Sequence, residues 1–454
     1  MSDVISGSEL AAGTEQSNAA WLPAIAAVAV IVGSALRLAY HSDFEFKADE
    51  FWMLSHALLA GVNGDFPLLG CQSSTSIYNP GMSLWLFIAL LRIFHLTDAT
   101  SLTRGVECLN IAALLLLLLC VYRCLPSSEW KTPWWWTIVL ASLNPFAVLF
   151  SRKIWAQDTE PLFCLILLFA WFYRHTFAGA LTWGFFGLLL GQIHMSGFFF
   201  AAALFVATTL LGTTFAASKK INWVGWLTGT ILGTIPLIPW LQYLAGAHST
   251  VAGYDWHNTF SLRFWWVFLA NAFGYGLKYS IGSHHSAFVS QPTVMVVYAI
   301  EAVVAIAGLV ILYRKLRTRA LAWRSDSVLA LLSASVAYGL VMNLAGVKTT
   351  PFYLIVTFPF QFYALAFLFS QDGKRGNALL GVLAACQLVL SLAFLQFIHA
   401  NHGAAGADYG RAYQWIDHGA EKQLQIDAIP LAPPPFSVEK EPLPPLPQLP
   451  PETK

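Results

Sequence analysis

Charge is scarce in this sequence. Charged side chains make up 11% of the chain, and 25 Lys and Arg nearly cancel 24 Asp and Glu. That excludes the basic stripe a nucleic-acid partner demands and the acidic excess that keeps a chain unfolded. Cysteine is scarce too. Of 6 residues, Cys108, Cys120, Cys124, Cys164 and Cys386 lie in or beside apolar runs, and only Cys71 sits in a polar-facing loop, which argues against a disulfide scaffold or a zinc knuckle. The first 20 residues lack a basic n-region, so they are expected as a polar cytoplasmic N-terminus, with the apolar stretch after them a retained helix.

What the chain has instead is apolar surface. At 57% hydrophobic residues and a mean hydropathy of +0.60, it carries more than one globular core can hide, so a bilayer is the expected solvent. A span needs about 20 mainly apolar residues, because a helix rises about 1.5 Å per residue across a roughly 30 Å layer. Eleven stretches are candidates: 21–40, 102–122, 133–150, 161–173, 180–193, 197–215, 223–243, 292–313, 328–345, 352–369 and 378–398. The expected fold is therefore an all-α polytopic membrane protein.

Lys and Arg favour cytoplasmic loops. With the N-terminus inside, alternate loops hold Arg123 and Lys131, Arg174, Lys219 and Lys220, the run Arg314, Lys315, Arg317, Arg319 and Arg324, and Lys374 and Arg375. Counting 80–94 as a span would push the 314–324 cluster outside. That segment is therefore expected along the outer interface, with Arg92 and His95 free to snorkel. The transmembrane domain is expected over 21–399, with outer loops at 41–101 and 244–291. A polar extracytoplasmic tail is expected over 400–454, Pro-rich and extended from Pro430.

The outer loops hold the chemically versatile residues. Asp49 and Glu50 open an apolar-periodic segment, where they complement a helix dipole or supply a general base at the membrane surface. In SRKIWAQDTEPLF, Arg152, Lys153, Asp158 and Glu160 read either as solvated charges of an interfacial anchor or as a second acidic wall of a polar cleft. His194 and Lys348 close predicted helices, and Lys348 with Thr349 and Thr350 suits a lipid-linked phosphate as well as a snorkelling anchor. The loop holding Tyr254, Asp255, Trp256, His284 and His285 has the length to cover a site, without a metal-ligand spacing. Glu301 falls inside a predicted span, where a paired carboxyl is expected.

ADEFW at 48–52, IYNPGMSLWLF from Ile77, SRKIWAQDTEPLF at 151–163, GQIHMSGFF at 191–199 and KTTPFYLIVTFPFQF at 348–362 together resemble the C-type (GT-C) integral-membrane glycosyltransferases. That group includes protein O-mannosyltransferases and aminoarabinose transferases. ADYGRAYQW at 407–415 looks like a local bacterial subfamily signature outside the shared core. The resemblance implies a bundle of about 11 spans with juxtamembrane helices in the first outer loop. It implies inverting transfer of a hexosyl or pentosyl group from a polyprenyl-phosphate donor to a glycan, lipid or protein acceptor. The reaction would face the periplasm or cell exterior of a bacterial inner membrane.

On that resemblance Asp49 is the base, with Glu50 beside it and Asp158 as second acidic residue. Arg152, Lys153, Lys348, His194 and Tyr353 are the candidate substrate- and phosphate-binding residues. No cofactor is required; a divalent metal is left open. Gln157, standing where the aminoarabinose transferases have Pro, counts against a metal role for Asp158. Lipid donor and membrane lipid are the expected partners, and nucleic acid is not. A transporter or flippase built around Glu301 and a scaffold presenting its Pro-rich tail are the alternatives.

Overall fold

A computed structural model describes residues 21–63, 66–73, 77–215, 220–246, 255–319 and 325–416. The N-terminal 20 residues, Lys219, Tyr254, Arg324 and the tail with its Pro-rich stretch lie outside that set. α1 (Leu22–Leu38) leads into the first loop, which forms α2 (Ala48–Asn63), a ribbon of β1 (Leu69–Gln72) and β2 (Tyr78–Pro80), and α3 (Met82–Phe94). α4 (Ala99–Leu119) starts from a capping box between Asp98 and Ser101 and is followed by α5 (Lys131–Leu143), α6 (Glu160–Phe172), α7 (Phe177–Ile193) and α8 (Ser196–Phe215). Next come α9 (Trp223–Thr234), α10 (Ile238–Gly246), α11 (Arg263–Ala272) and α12 (Pro292–Arg317). α13 (Asp326–Leu332) runs through a π-helical turn into α14 (Tyr338–Leu344), then α15 (Phe360–Ser370) and α16 (Gly373–Ala400) follow, and a hairpin of β3 (Gly403–Ala404) and β4 (Gly410–Arg411) ends the described chain.

Every apolar stretch expected to span lies on helix, but the helices differ in reach. Six can cross a hydrocarbon layer by length and composition: Ala99–Cys124, Ser196–Thr214, Trp223–Gly246, Pro292–Arg317, Asp326–Leu344 and Gly373–Ala400. The rest are shorter, often because a proline interrupts them. α5 stops at Asn144, whose side chain caps a short turn over Pro145–Leu149 by accepting from Ala147 N at 3.1 Å. The stretch expected as one span from Phe352 to Phe369 is two pieces, a 3₁₀ turn over Pro351–Thr357 and α15, bent by 71°. Pro359 lacks the N–H that would continue the helix and disfavours helical backbone before it. The bend turns Phe352 and Tyr353 back toward the site described below.

Two ends of the bundle are sewn by polar contacts. At one, Tyr40 stacks on His399 with centroids 4.3 Å apart, joining the ends of α1 and α16. At the other, Glu129 accepts from the backbone N–H of Asp326 and Ser327 at 3.0 and 3.2 Å, and buried Arg174 donates to Asp326 at 2.7 Å. Chain direction puts Arg123, Lys131, Arg314, Arg317, Lys374 and Arg375 at this second end, opposite the candidate site. Between the ends, Gly225, Gly229 and Gly233 present one ridge of α9 to α7. A Cβ on Gly229 would lie 1.9 Å from the Leu181 carbonyl oxygen, so only glycine allows that backbone approach.

The first loop has a small core of its own, in which Phe44, Phe46, Met53, Leu54, Leu84, Phe87 and Ile88 are buried. It anchors α2 and α3 against the start of α4. Arg92, expected to snorkel, instead donates to the Ala60 carbonyl at 2.9 Å with its guanidinium 4.9 Å from the Phe66 ring centre. An end-of-helix carbonyl satisfies it better than a lipid surface it does not need to reach. Glu301 is buried on α12, and the expected pairing is not found among the described residues: neither carboxyl oxygen has a hydrogen-bond or ion-pair partner.

Candidate functional site

The site grows from the segment DFEFKADE at 43–50. Phe44 and Phe46 anchor it in the small core, while Glu45 and Lys47 turn toward the bundle. Lys47 ends the extended stretch and α2 begins. Glu50, three residues on, reaches back and accepts from the Lys47 backbone N–H at 3.0 Å, half of a capping box. Glu50 is buried, and Asp49 beside it faces solvent. Burial, reinforced by Glu45, pushes the Glu50 carboxyl up to about 8 against the opposing pull of Lys153 and Lys47. The Asp49 carboxyl is also raised, by the protein mass around it and by Asp408, with Lys47 and Lys153 working the other way.

The second element is the turn between α5 and α6. Ser151–Trp155 and a 3₁₀ turn at Ala156–Thr159 carry Arg152, Lys153 and Asp158 into the interior, where all three are buried. Lys153 pairs with Glu45 and sits 4.5 Å from the ring centres of both Phe150 and Trp155. Glu45 also takes Lys47 at 2.9 Å, so one carboxylate serves two ammonium groups. Arg152 lies 3.6 Å from Glu107 and donates to the Tyr40 carbonyl at 2.6 Å. Asp158 is held through its backbone, whose carbonyl accepts from Asn110 at 2.8 Å, and neither of its carboxyl oxygens has a hydrogen-bond partner. Burial drives that carboxyl well above the usual range, with Glu45 and Glu50 adding to the shift and Lys153 opposing it.

Aromatic rings wall the cluster. Trp155 meets Phe352 edge-on at 5.3 Å, Phe352 meets Tyr353 at 4.8 Å, and Tyr353 lies 5.5 Å from His194. His194 Nδ1 bonds to Ser196 Oγ at 2.7 Å, and burial lowers its imidazole to about 4, so it works as a neutral hydrogen-bonding group. Asp49, Glu50, Arg152, Lys153 and Asp158 thus share one ionic neighbourhood, with Tyr353 and His194 along its aromatic flank.

Lys348 is not tied into that network among the described residues. It is exposed, and Asp255 feels its charge. Its neighbour Thr349 accepts from Arg263 Nε at 2.7 Å, so Lys348 and Arg263 stand close on the approach to the Pro351–Thr357 turn. The covering loop is anchored rather than free. Asn258 donates to the Gly346 carbonyl at 3.0 Å, and His284 Nε2 lies 2.8 Å from the Ala405 carbonyl oxygen. No group of three or more His, Cys, Asp or Glu among the described residues is arranged to hold a metal.

Sequence reasoning missed Glu45, Lys47, Glu107 and Asp408. The polar-aromatic alternation of DFEFK was the available signal for the first two, since period 2 marks an extended segment with two distinct faces. Asp408 had none. It pairs with Lys47 at 3.2 Å from the far end of the chain, in a stretch that composition assigned to the tail.

Fold and site together define a polytopic helical membrane protein with a buried ionic cluster, rimmed by an exposed carboxylate, at one end of its bundle. No family model and no curated protein matches the sequence. Among solved structures, one that is similar is the oligosaccharyltransferase AglB of the archaeon Archaeoglobus fulgidus, in complex with an inhibitory peptide and a dolichol-phosphate. Identity is 13% and the TM-score 0.44, over 94% of this chain and 61% of that one.

Proposed function

We propose that this chain is a membrane glycosyltransferase that moves a sugar from a polyprenyl-phosphate donor to an acceptor hydroxyl by inverting displacement. The observation that carries the reading is Asp49, a solvent-facing carboxylate on the rim of an ionic cluster that aromatic rings wall. A general base must be open to its substrate, and Asp49 is exposed while Glu50 is buried. Asp49 takes the proton of the acceptor hydroxyl, the acceptor oxygen bonds to the anomeric carbon, and the bond to the phosphate oxygen breaks. The phosphate leaves as an anion toward Lys348, with Arg263 beside it, and needs no general acid because it is already a good leaving group.

Arg152 and Lys153 are committed to Glu107 and Glu45, so their work is to hold the loop and set its field. Asp158 is fully buried, so it does not reach an acceptor hydroxyl as a second base. Tyr353 and Phe352, both half-buried, supply faces on which a sugar ring stacks.

The test is Asp49→Asn in the full-length protein, with envelope glycans, lipids and glycoproteins compared by mass spectrometry against wild type and a deletion strain. The variant is expected to accumulate normally and to lose the same sugar that the deletion loses. Full retention of that sugar would remove Asp49 from the role.

A further inference from the structure

The stretch from His402 to Ile416 is a strap over the first loop. Its hairpin is closed by Ala412 N donating to His402 O at 3.0 Å, and Tyr409 N donates to Ser280 O at 2.7 Å. Tyr413 N and Gln414 N donate to Phe44 O and Ser42 O at 3.0 and 3.1 Å, Ala412 pairs with Glu45 as an isolated bridge, and the Tyr413 ring stacks on Phe44 at 4.6 Å. The Tyr409 hydroxyl and the Gln414 amide both reach Asp43. Gly410, at φ +68°, lies against the stem of Lys47: a Cβ there would sit 3.5 Å from its Cγ. These anchors on either side fix the hairpin turn that carries Asp408.

Lys47 has a choice of carboxylates. Its ammonium lies 2.9 Å from Glu45 and 3.2 Å from Asp408, and Glu45 is already shared with Lys153. Asp49, two residues further on, has no ion pair among the described residues. Its carboxyl nevertheless feels both Lys47 and Asp408. An ammonium on a four-carbon stem swings readily between such partners. A base whose lone pairs are occupied by an ammonium cannot take a proton from substrate.

We propose that Asp408 is a positioning residue that holds the Lys47 ammonium off Asp49 and so keeps the base open to its acceptor. The strap is then a working part of the site, although it lies more than three hundred residues from the first loop in the chain. This inference rests on Asp49 being the base.

Its test uses full-length variants in native membranes at matched abundance, with a panel of polyprenyl-phosphate hexoses and pentoses as donors and product measured by mass spectrometry. Asp49→Asn is run first; if product persists, the functional reading fails and this inference falls with it. With Asp49→Asn inactive, Asp408→Asn is expected to lower kcat about tenfold, part of the roughly 10²- to 10⁴-fold a general base contributes, with donor KM within about twofold of wild type. Asp408→Glu should recover most of that loss. Lys47→Met added to Asp408→Asn should recover it as well, because an absent ammonium cannot quench Asp49. Wild-type turnover in Asp408→Asn would overturn the proposal, and so would a double variant no faster than Asp408→Asn, since a merely structural strap gains nothing from losing Lys47. Asp408→Ser replaces Asp408→Asn should the latter not accumulate.

Discussion

Lys153 and Glu45 pair where neither side chain reaches solvent, each with 0% exposure. The pair joins the turn after α5 to the first loop. Removing one partner of such a pair leaves a charge with neither water nor a counter-ion. Lys153→Met is therefore expected to lower stability by about 3 kcal/mol, the low end of the range for broken buried pairs because Lys47 still serves Glu45. Glu45→Gln in the same chain should return part of the loss. Thermal unfolding in detergent of the two single variants and the double variant reads the coupling, and purely additive effects would deny it.

Glu50 makes a pH prediction with a definite sign. Its carboxyl is raised from an ordinary 4.5 to about 8, so the folded state binds the proton more tightly than the unfolded one. Stability therefore falls as pH rises from about 4.5 to about 8, and the penalty is complete above that. Glu50→Gln keeps an oxygen for the Lys47 N–H and cannot ionise. Its melting temperature should exceed that of wild type at pH 9 and match it at pH 4; the same gap at both values would refute the assignment.

The glycine ridge between α9 and α7 is a packing prediction. Gly229→Val would drive side-chain atoms into the Leu181 carbonyl, and the two helices must part. Overpacking of this kind costs about 1–3 kcal/mol. Expression and melting temperature in detergent should both drop, while Gly246→Ala, whose Cβ meets nothing within 4 Å, should leave them unchanged.

Lys348 and Glu301 separate transfer from transport. On the proposed mechanism Lys348→Ala removes charge stabilisation from the departing phosphate, and it should lower kcat/KM for the lipid donor about tenfold or more. Glu301→Gln, which alters no residue of the ionic cluster around Asp49, should leave the proposed glycosyl transfer at wild-type rate. Loss of a substrate gradient in Glu301→Gln with transfer intact would favour a transporter instead.

The helical bundle was legible because apolar runs repeat at membrane length, and each expected stretch lies on helix. Helix breaks were harder to see. The 71° bend at Phe358–Pro359 sits inside an apolar run where Pro359 marks a break, but hydropathy carries no sign of its direction or size. Asp49, Glu50, Arg152, Lys153 and Asp158 were readable as rare charges in an apolar chain, but their division of labour was not. Adjacent Asp49 and Glu50 are equivalent in sequence, and only the turn of α2 exposes one and buries the other.

Composition and spacing by themselves determined that this protein lives in a bilayer as a helical bundle with polar chemistry in its loops, because solvent transfer and backbone hydrogen bonding act on every segment locally. The tertiary structure alone decided that Glu45 serves two lysines, that Asp408 returns from the far end of the chain to hold Lys47, and that Arg263 donates to the Thr349 carbonyl next to Lys348. Such pairings depend on distances in space between residues far apart in sequence, and a charge carries no local mark of the partner it will meet.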